Sequence, residues 1–254
     1  MTNLRWVDLG VIDPKLCSAL WEFSRIYNLT TPTVFSFTVN KLFLENCSKN
    51  ILLSDIIYTD NIPVDYHHNR YYMDISDNAG IFTWDKDVLG IFFHKPINYE
   101  KLTELKSIIY TYRKKGIDCF HTGNDGYIVI DGKIKKFCGV LNNKWDNNWA
   151  VNSISITYDV DIDLLNSIYN FDDRKLSAKN PEGDIGNIIC GLNDASSSLI
   201  MKDDCEDIIN EYAKRFNLSV IKDSLTIQET NDINSLANKL DNVSWKNNLI
   251  YPRR

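Results

Sequence analysis

Two apolar runs, Tyr127 to Ile130 and Phe137 to Leu141, lie either side of Asp131-Gly132. An Asp-Gly pair readily adopts the left-handed backbone of a tight turn, whose twist suits paired antiparallel strands. The spacing therefore predicts a β-hairpin, and this is the clearest local constraint in the chain. Around it the apolar pattern switches between period 2 and period 3.6. Thr33–Val39, Arg70–Ile75, Ile81–Trp84, Val88–Phe93 and Val151–Tyr158 read as strands. The 51–58 stretch fits either a short helix or a strand.

Helices are expected where a cap precedes an apolar stripe. Asp13-Pro14 opens one carrying Leu16, Leu20, Phe23 and Tyr27. Asn98 is placed to cap a second, with Leu102, Leu105, Ile108, Ile109 and Tyr112 inward and Lys114-Lys115-Gly116 at its end. Asp161 caps a third with Leu164, Leu165 and Ile168. A fourth spans 202–216 and a last one 231–240. Strands come in runs broken by helices, not in strict alternation, so the fold class is α+β: a mixed sheet flanked by helices. No repeat, low-complexity stretch or Pro/Gly-rich linker divides residues 1–254, and one domain is the simplest organisation.

With 254 residues, 44% of them hydrophobic, the chain can bury a sizeable core. Its net charge of −6 argues against general nucleic-acid binding, which needs a basic face. No signal peptide is visible at the N-terminus, and no apolar run is long enough to span a bilayer. The six cysteines, Cys17, Cys47, Cys119, Cys138, Cys190 and Cys205, form no CxxC pair. Reduced thiols and a cytoplasmic location are the expectation. The four histidines show no metal-ligand spacing.

Against the acidic balance, Lys133, Lys135 and Lys136 crowd the hairpin, with Asn124-Asp125 just upstream and Gly139 just after. Lysines on a rigid strand end can hold a carboxylate or phosphate and stabilise charge that develops in acyl or adenylyl transfer. A glycine beside them lets a ligand or strand approach the backbone. The same lysines would equally serve as a solvated hairpin tip that protects a strand edge.

The string Gly123-Asn124-Asp125, Tyr127 to Lys133 and Lys136-Phe137-Cys138-Gly139 resembles the lipoate- and biotin-protein ligase family. That family has an (R/P)-N-D triplet, a hydrophobic strand, a D-G-K hairpin and a K-hydrophobic-small-G motif. Weaker similarity extends from Arg70 to Pro252, through Ser153–Asp161, the basic Arg174-Lys175 and Lys179, and Ser244–Pro252. The resemblance implies an enzyme that attaches lipoate or octanoate to a lysine of a small acidic carrier domain, with ATP and Mg²⁺ as co-reactants. Lys136 falls on the family's catalytic lysine, with Lys135 as a competitor because the hairpin is slightly longer. Gly123, Asn124, Asp125 and Gly139 would shape the pocket. Arg70 and the loop Asp77-Asn78-Ala79-Gly80 would form its lid. That loop has one glycine where the family has three, and Asn152-Ser153-Ile154 stands where the family has His-His-Gly.

Two alternatives follow from the same residues. Some transferases of the superfamily use a thiol in the loop before the hairpin, and Cys119 would be that nucleophile, forming a thioester without ATP. A non-catalytic binding protein on the same fold is the other, favoured by the altered glycine loop.

Overall fold

The structure is a computed structural model describing residues 3–26, 31–40, 42–46, 64–65, 81–96, 102–144, 148–168 and 184–242. The expectations for 51–58, 70–75, Tyr27 and Asn98 lie outside the described residues, as do Arg70, Asp77, Asn78, Ala79 and Gly80.

The described elements run β1 (Asn3–Ile12), α1 (Pro14–Ile26), β2 (Thr33–Val39), β3 (Phe43–Asn46), β4 (Val64–Asp65), β5 (Ile81–Trp84) and β6 (Val88–Pro96). Then come α2 (Thr103–Lys114), β7 (Cys119–Thr122), β8 (Asp125–Ile130), β9 (Lys133–Lys144) and β10 (Trp149–Thr157). Helix α3 (Ile162–Ile168), two short 3-10 turns, α4 (Met201–Arg215), β11 (Ser219–Asp223) and α5 (Ile227–Asn242) complete the order. Eight strands form one sheet in the order β11-β1-β2-β6-β10-β9-β8-β7. Strand β1 is parallel to both of its neighbours, and every other pair in this sheet is antiparallel. A three-stranded sheet, β4-β3-β5, is separate.

Each face of the large sheet is apolar and covered by helices. Leu4, Phe93, Ile154 and Phe137 pack with Leu105, Ile108 and Tyr112 of α2 and Ile208 and Tyr212 of α4. On the other face Phe35, Phe92, Leu141 and Val151 pack with Leu20 and Phe23 of α1 and Ile233 and Ala237 of α5. This mixed sheet flanked by helices is the α+β architecture expected from the pattern of periods. Gly90 of β6 is required by one contact: a Cβ there would lie 2.5 Å from the Phe37 ring. Phe37 in turn meets Phe92 edge-on at 4.9 Å between ring centroids.

Local chemistry sets the ends of the elements. The Asp13 carboxylate accepts from Lys15 N at 3.0 Å and the Asp161 carboxylate from Leu164 N at 2.9 Å, capping α1 and α3. Gly116 has φ +83°, the left-handed turn that ends α2. Helix α5 starts earlier than its apolar stripe suggests. A reciprocal cap explains this: Glu229 N donates to Thr226 Oγ1 and Thr226 N donates to Glu229 Oε2. Glu229 also takes both terminal nitrogens of Arg5, at 2.6 and 2.8 Å, tying α5 to β1.

Strands β1 and β11 escape a reading of local periodicity. The burial of β1 does not alternate, and β11 is an exposed edge strand that matters only through its pairing with β1. Beneath the sheet, Tyr112 Oη and Tyr158 Oη lie 2.7 Å apart, and Tyr158 Oη donates to Asp204 at 2.7 Å. Lys115 closes this chain onto Asp204 and Asp207. Burial holds both phenols far above their ordinary range, so they stay neutral donors that pin α2 to α4. No helix among the described residues is long and apolar enough to cross a membrane.

Candidate functional site

Asp131 and Gly132 have φ of +50° and +75°, the backbone expected for the tight turn between β8 and β9. Lys133, Lys135 and Lys136 all lie within β9. Alternation along a strand separates them. Lys135 pairs with Ile128, whose side chain is fully buried against α2 and α4; Lys136 pairs with Tyr127 on the opposite face. The two candidates for one role therefore point to different sides of the sheet.

A β-bulge then aims Lys136. Tyr127 pairs with Lys136 but Gly126 pairs with Cys138, so Phe137 is the extra residue. Gly126 permits this, because a Cβ there would stand 3.0 Å from Cys138 Cβ and 3.2 Å from the Phe137 ring. At the bulge the other edge of β9 is held by the 188–190 segment: Lys136 N donates to Ile188 O at 2.8 Å and Cys190 N donates to Lys136 O at 3.0 Å. Nothing in the sequence signals this strap. Its entry turn is capped by Asp184, which accepts from Gly186 N and from Asn166 Nδ2, each at 2.9 Å. Asn166, Gly186 N–H and the nearby Lys135 and Lys133 hold the Asp184 carboxyl below its ordinary value. Lys133 and Lys135 thus face the strap, where Lys133 Nζ reaches Asn187 at 3.4 Å.

Lys136 Nζ lies 2.7 Å from Asp125 Oδ1, and both side chains are about a third exposed, 36% each. Its terminal atoms rest on Gly139, where a Cβ would come within 3.2 Å of Nζ and 3.6 Å of Ser155 Oγ. Tyr127 Oη donates to the second Asp125 oxygen at 3.4 Å. Burial and the Asp125 charge raise the Tyr127 phenol. Gly123, with φ +55°, turns β7 into β8, and Asn124 O accepts from Val140 N at 2.8 Å, stitching this turn to β9. The structure therefore brings together Gly123, Asn124, Asp125, Lys136 and Gly139. It adds Tyr127 and Ser155, to which the motifs assign no site role; the register pairing Ser155 with Gly139 reveals the latter.

Cys119 does not join them. It begins strand β7 instead of lying in a loop, and its side chain is in the core on the α2 face, fully buried. The Cys119 Sγ donates to Ile109 O at 3.5 Å. Burial pushes the thiol up to about 11, against a smaller opposing pull from Arg113. A thiol so placed stays protonated at neutral pH and is closed off from an acyl donor, which argues against the expected role as nucleophile. Cys138 is likewise buried with its thiol pushed up, as a packing residue. Cys17, Cys119, Cys138, Cys190 and Cys205 are all free thiols. No group of three His, Cys, Asp or Glu among the described residues could hold a metal ion.

No protein-family model matches the sequence, and neither does any curated protein. Solved structures do match. The chain superposes on the bipartite lipoate-protein ligase of Thermoplasma acidophilum, described with its E2 lipoyl domain, at a TM-score of 0.74. That match covers 94% of this chain and 93% of the other at 13% identity. A T. acidophilum protein solved with bound lipoic acid matches at 0.69 and 12% identity, covering 94% and 96% of the two chains. Lipoate-protein ligase A solved with ATP matches at 0.67 and 12% identity, covering 94% and 95%. The fold is that of the lipoate-protein ligases.

Proposed function

We propose that this chain, acting as one ligase-type unit, activates lipoate or octanoate with ATP and transfers the acyl group to a lysine of a carrier domain. The observation that carries the reading is the Lys136 amine, paired to Asp125 and resting on Gly139 at one end of a largely apolar sheet face. From Gly139 the row continues through Ser155 to Gly90 across adjacent strands, and Phe37 and Phe92 pack beside it. A carboxylate bound at the Gly139–Ser155 end of that row would meet Lys136 Nζ.

The ion pair is open enough to exchange partners. A pair a third exposed contributes only about 0–1 kcal/mol net, so a carboxylate or α-phosphate can take the ammonium from Asp125 at little cost. In the first step a carboxylate oxygen bonds to the α-phosphorus of ATP and the bond to pyrophosphate breaks. In the second the neutral carrier amine bonds to the acyl carbon and AMP leaves with the C–O electron pair. Two protons pass from the carrier ammonium to solvent over that second step. Lys136 would hold negative charge on the carboxylate, then on the phosphoryl and carbonyl oxygens, which is where a fixed cation lowers a barrier. Mg²⁺ would arrive with the nucleotide, and Asp125, the carboxylate paired to Lys136, would be available to meet it.

The test is mass spectrometry of an apo lipoyl domain incubated with the protein, ATP, Mg²⁺ and lipoate or octanoate. The domain should gain one acyl group as pyrophosphate is released. An unmodified domain with no pyrophosphate released from any medium-chain acid would leave the fold as ancestry alone.

A further inference from the structure

The acidity of the chain, −6 overall, would repel an acidic carrier at long range. The distribution of charge at one edge of the sheet opposes that average. Strand β7 ends the sheet, pairing among the described residues with β8 alone. Between it and helices α2 and α4 runs an open groove of about 400 Å³, lined by Lys106, Tyr110, Arg113, Phe120, His121 and Arg215, with no carboxylate among the described residues that line it. Lys114 and Arg215 both lie over the Tyr110 ring, at 4.4 and 5.6 Å from its centroid. Glu211 offsets part of this charge through Arg215 at 3.2 Å and Lys114 at 3.9 Å. Arg113 spends Nε on Cys119 O at 2.7 Å. Among the described residues that line the groove, cationic side chains outnumber carboxylates.

The same edge leads to the candidate site. Phe120 of β7 stacks on Tyr127 of β8 at 5.8 Å, and Tyr127 pairs with Lys136 of β9. Strands are spaced about 4.8 Å apart, so the row from β7 to the Lys136 backbone is about 10 Å long. Beside it, on the same face, Val129 and Ile134 oppose each other across the hairpin and are 40% and 58% exposed. Exposed apolar side chains with a charged rim are the make-up of a docking surface.

We infer that the β7 edge, with the Lys106–Arg113–Arg215 groove and the Val129–Ile134 pair, is where an acidic carrier domain docks to present its lysine along the Phe120–Tyr127 row to Lys136. The inference rests on the proposed acyl transfer and names the surface that selects its protein substrate. Apolar contact at Val129 and Ile134 supplies burial. The groove supplies attraction for carboxylates flanking the carrier lysine, which governs encounter more than final affinity.

The experiment uses the full chain and an apo lipoyl domain of net negative charge, and measures two rates: pyrophosphate release without carrier, and acyl transfer to the carrier. Lys106→Glu with Arg215→Glu should lower kcat/KM for the carrier by roughly tenfold or more at low salt and less as salt rises, leaving carrier-free pyrophosphate release unchanged. A control pair of the same charge change at exposed sites elsewhere, Lys86→Glu with Lys239→Glu, should change transfer by less than about twofold. If the first pair does not fold, Lys106→Gln with Arg215→Gln carries the same test. Equal losses from both pairs, or no loss, overturn the docking surface. So does a parallel loss of carrier-free release, which would give the groove to the nucleotide. Release without any transfer to the acidic domain by the unmodified protein also overturns it, while the ATP-dependent activation of the acid stands. Absence of release removes both.

Discussion

Lys136→Ala separates a chemical role from a structural one, because the two predict different readouts. The Lys136–Asp125 contact is 2.7 Å long. At an effective dielectric near 20, that distance corresponds to about 6 kcal/mol of raw attraction. Both side chains are 36% exposed, so water already solvates them and screens most of that attraction. Exposed pairs of this kind are worth about 0–1 kcal/mol. The mutant should therefore melt within about 2–4 °C of the unmodified protein, the shift expected for 1 kcal/mol in a chain of this size. Acyl transfer should fall far more. Removing one aligned donor from a developing oxyanion costs about 100- to 1,000-fold in rate, equivalent to roughly 3–4 kcal/mol. The assay is acyl transfer to the apo lipoyl domain by mass spectrometry, beside a thermal melt of each protein. Lys135→Ala is the companion, since Lys135 faces the strap, and transfer should survive it. Full transfer by Lys136→Ala refutes the assignment. So does a fall in melting temperature large enough to account for the lost activity.

Gly90→Ala should destabilise the fold by about 1–3 kcal/mol, read as a lower denaturation midpoint, since its Cβ would press on a Phe37 ring that cannot move away. Glu229 is held below the ordinary glutamate value of 4.5 by its hydrogen bonds to Arg5. Its stabilising contribution is full above that pH and is lost as pH falls through the lower folded value, so Glu229→Gln should flatten the acid side of the melting curve below about pH 4.5. Equal steepness in mutant and parent would count against the clamp. Cys119, with its thiol near 11 and buried, should resist iodoacetamide at pH 8 in the folded protein and take no acyl adduct from an octanoyl thioester. Peptide mapping that finds either modification would restore it as a nucleophile.

Much of the site could be read from short windows of sequence. Asp131-Gly132 specifies its turn through the backbone those two residues tolerate, and the strands beside it follow from apolar alternation. The caps at Asp13 and Asp161 are equally local. In each case the determining interaction spans a few residues, and the side-chain chemistry of those residues is sufficient. The grouping of Asn124, Asp125, Lys136 and Gly139 was legible for the same reason, since a hairpin folds that stretch back on itself.

What only the tertiary structure decided depends on partners far away in the chain. The choice between Lys135 and Lys136 turns on the face each occupies, and the bulge at Phe137 shifts the register beyond it by one residue. That bulge is held by Ile188 and Cys190, some fifty residues downstream. Ser155 joins the site through strand register, and Cys119 leaves it because β7 turns its thiol into the core beneath α2. Strand β1 has no pattern of its own and exists because β2 and β11 pair with it on both sides. Sequence periodicity reports how a segment can fold, through energies set within a turn or two. Which face is buried, and which charge meets which, are fixed by packing between segments remote in sequence.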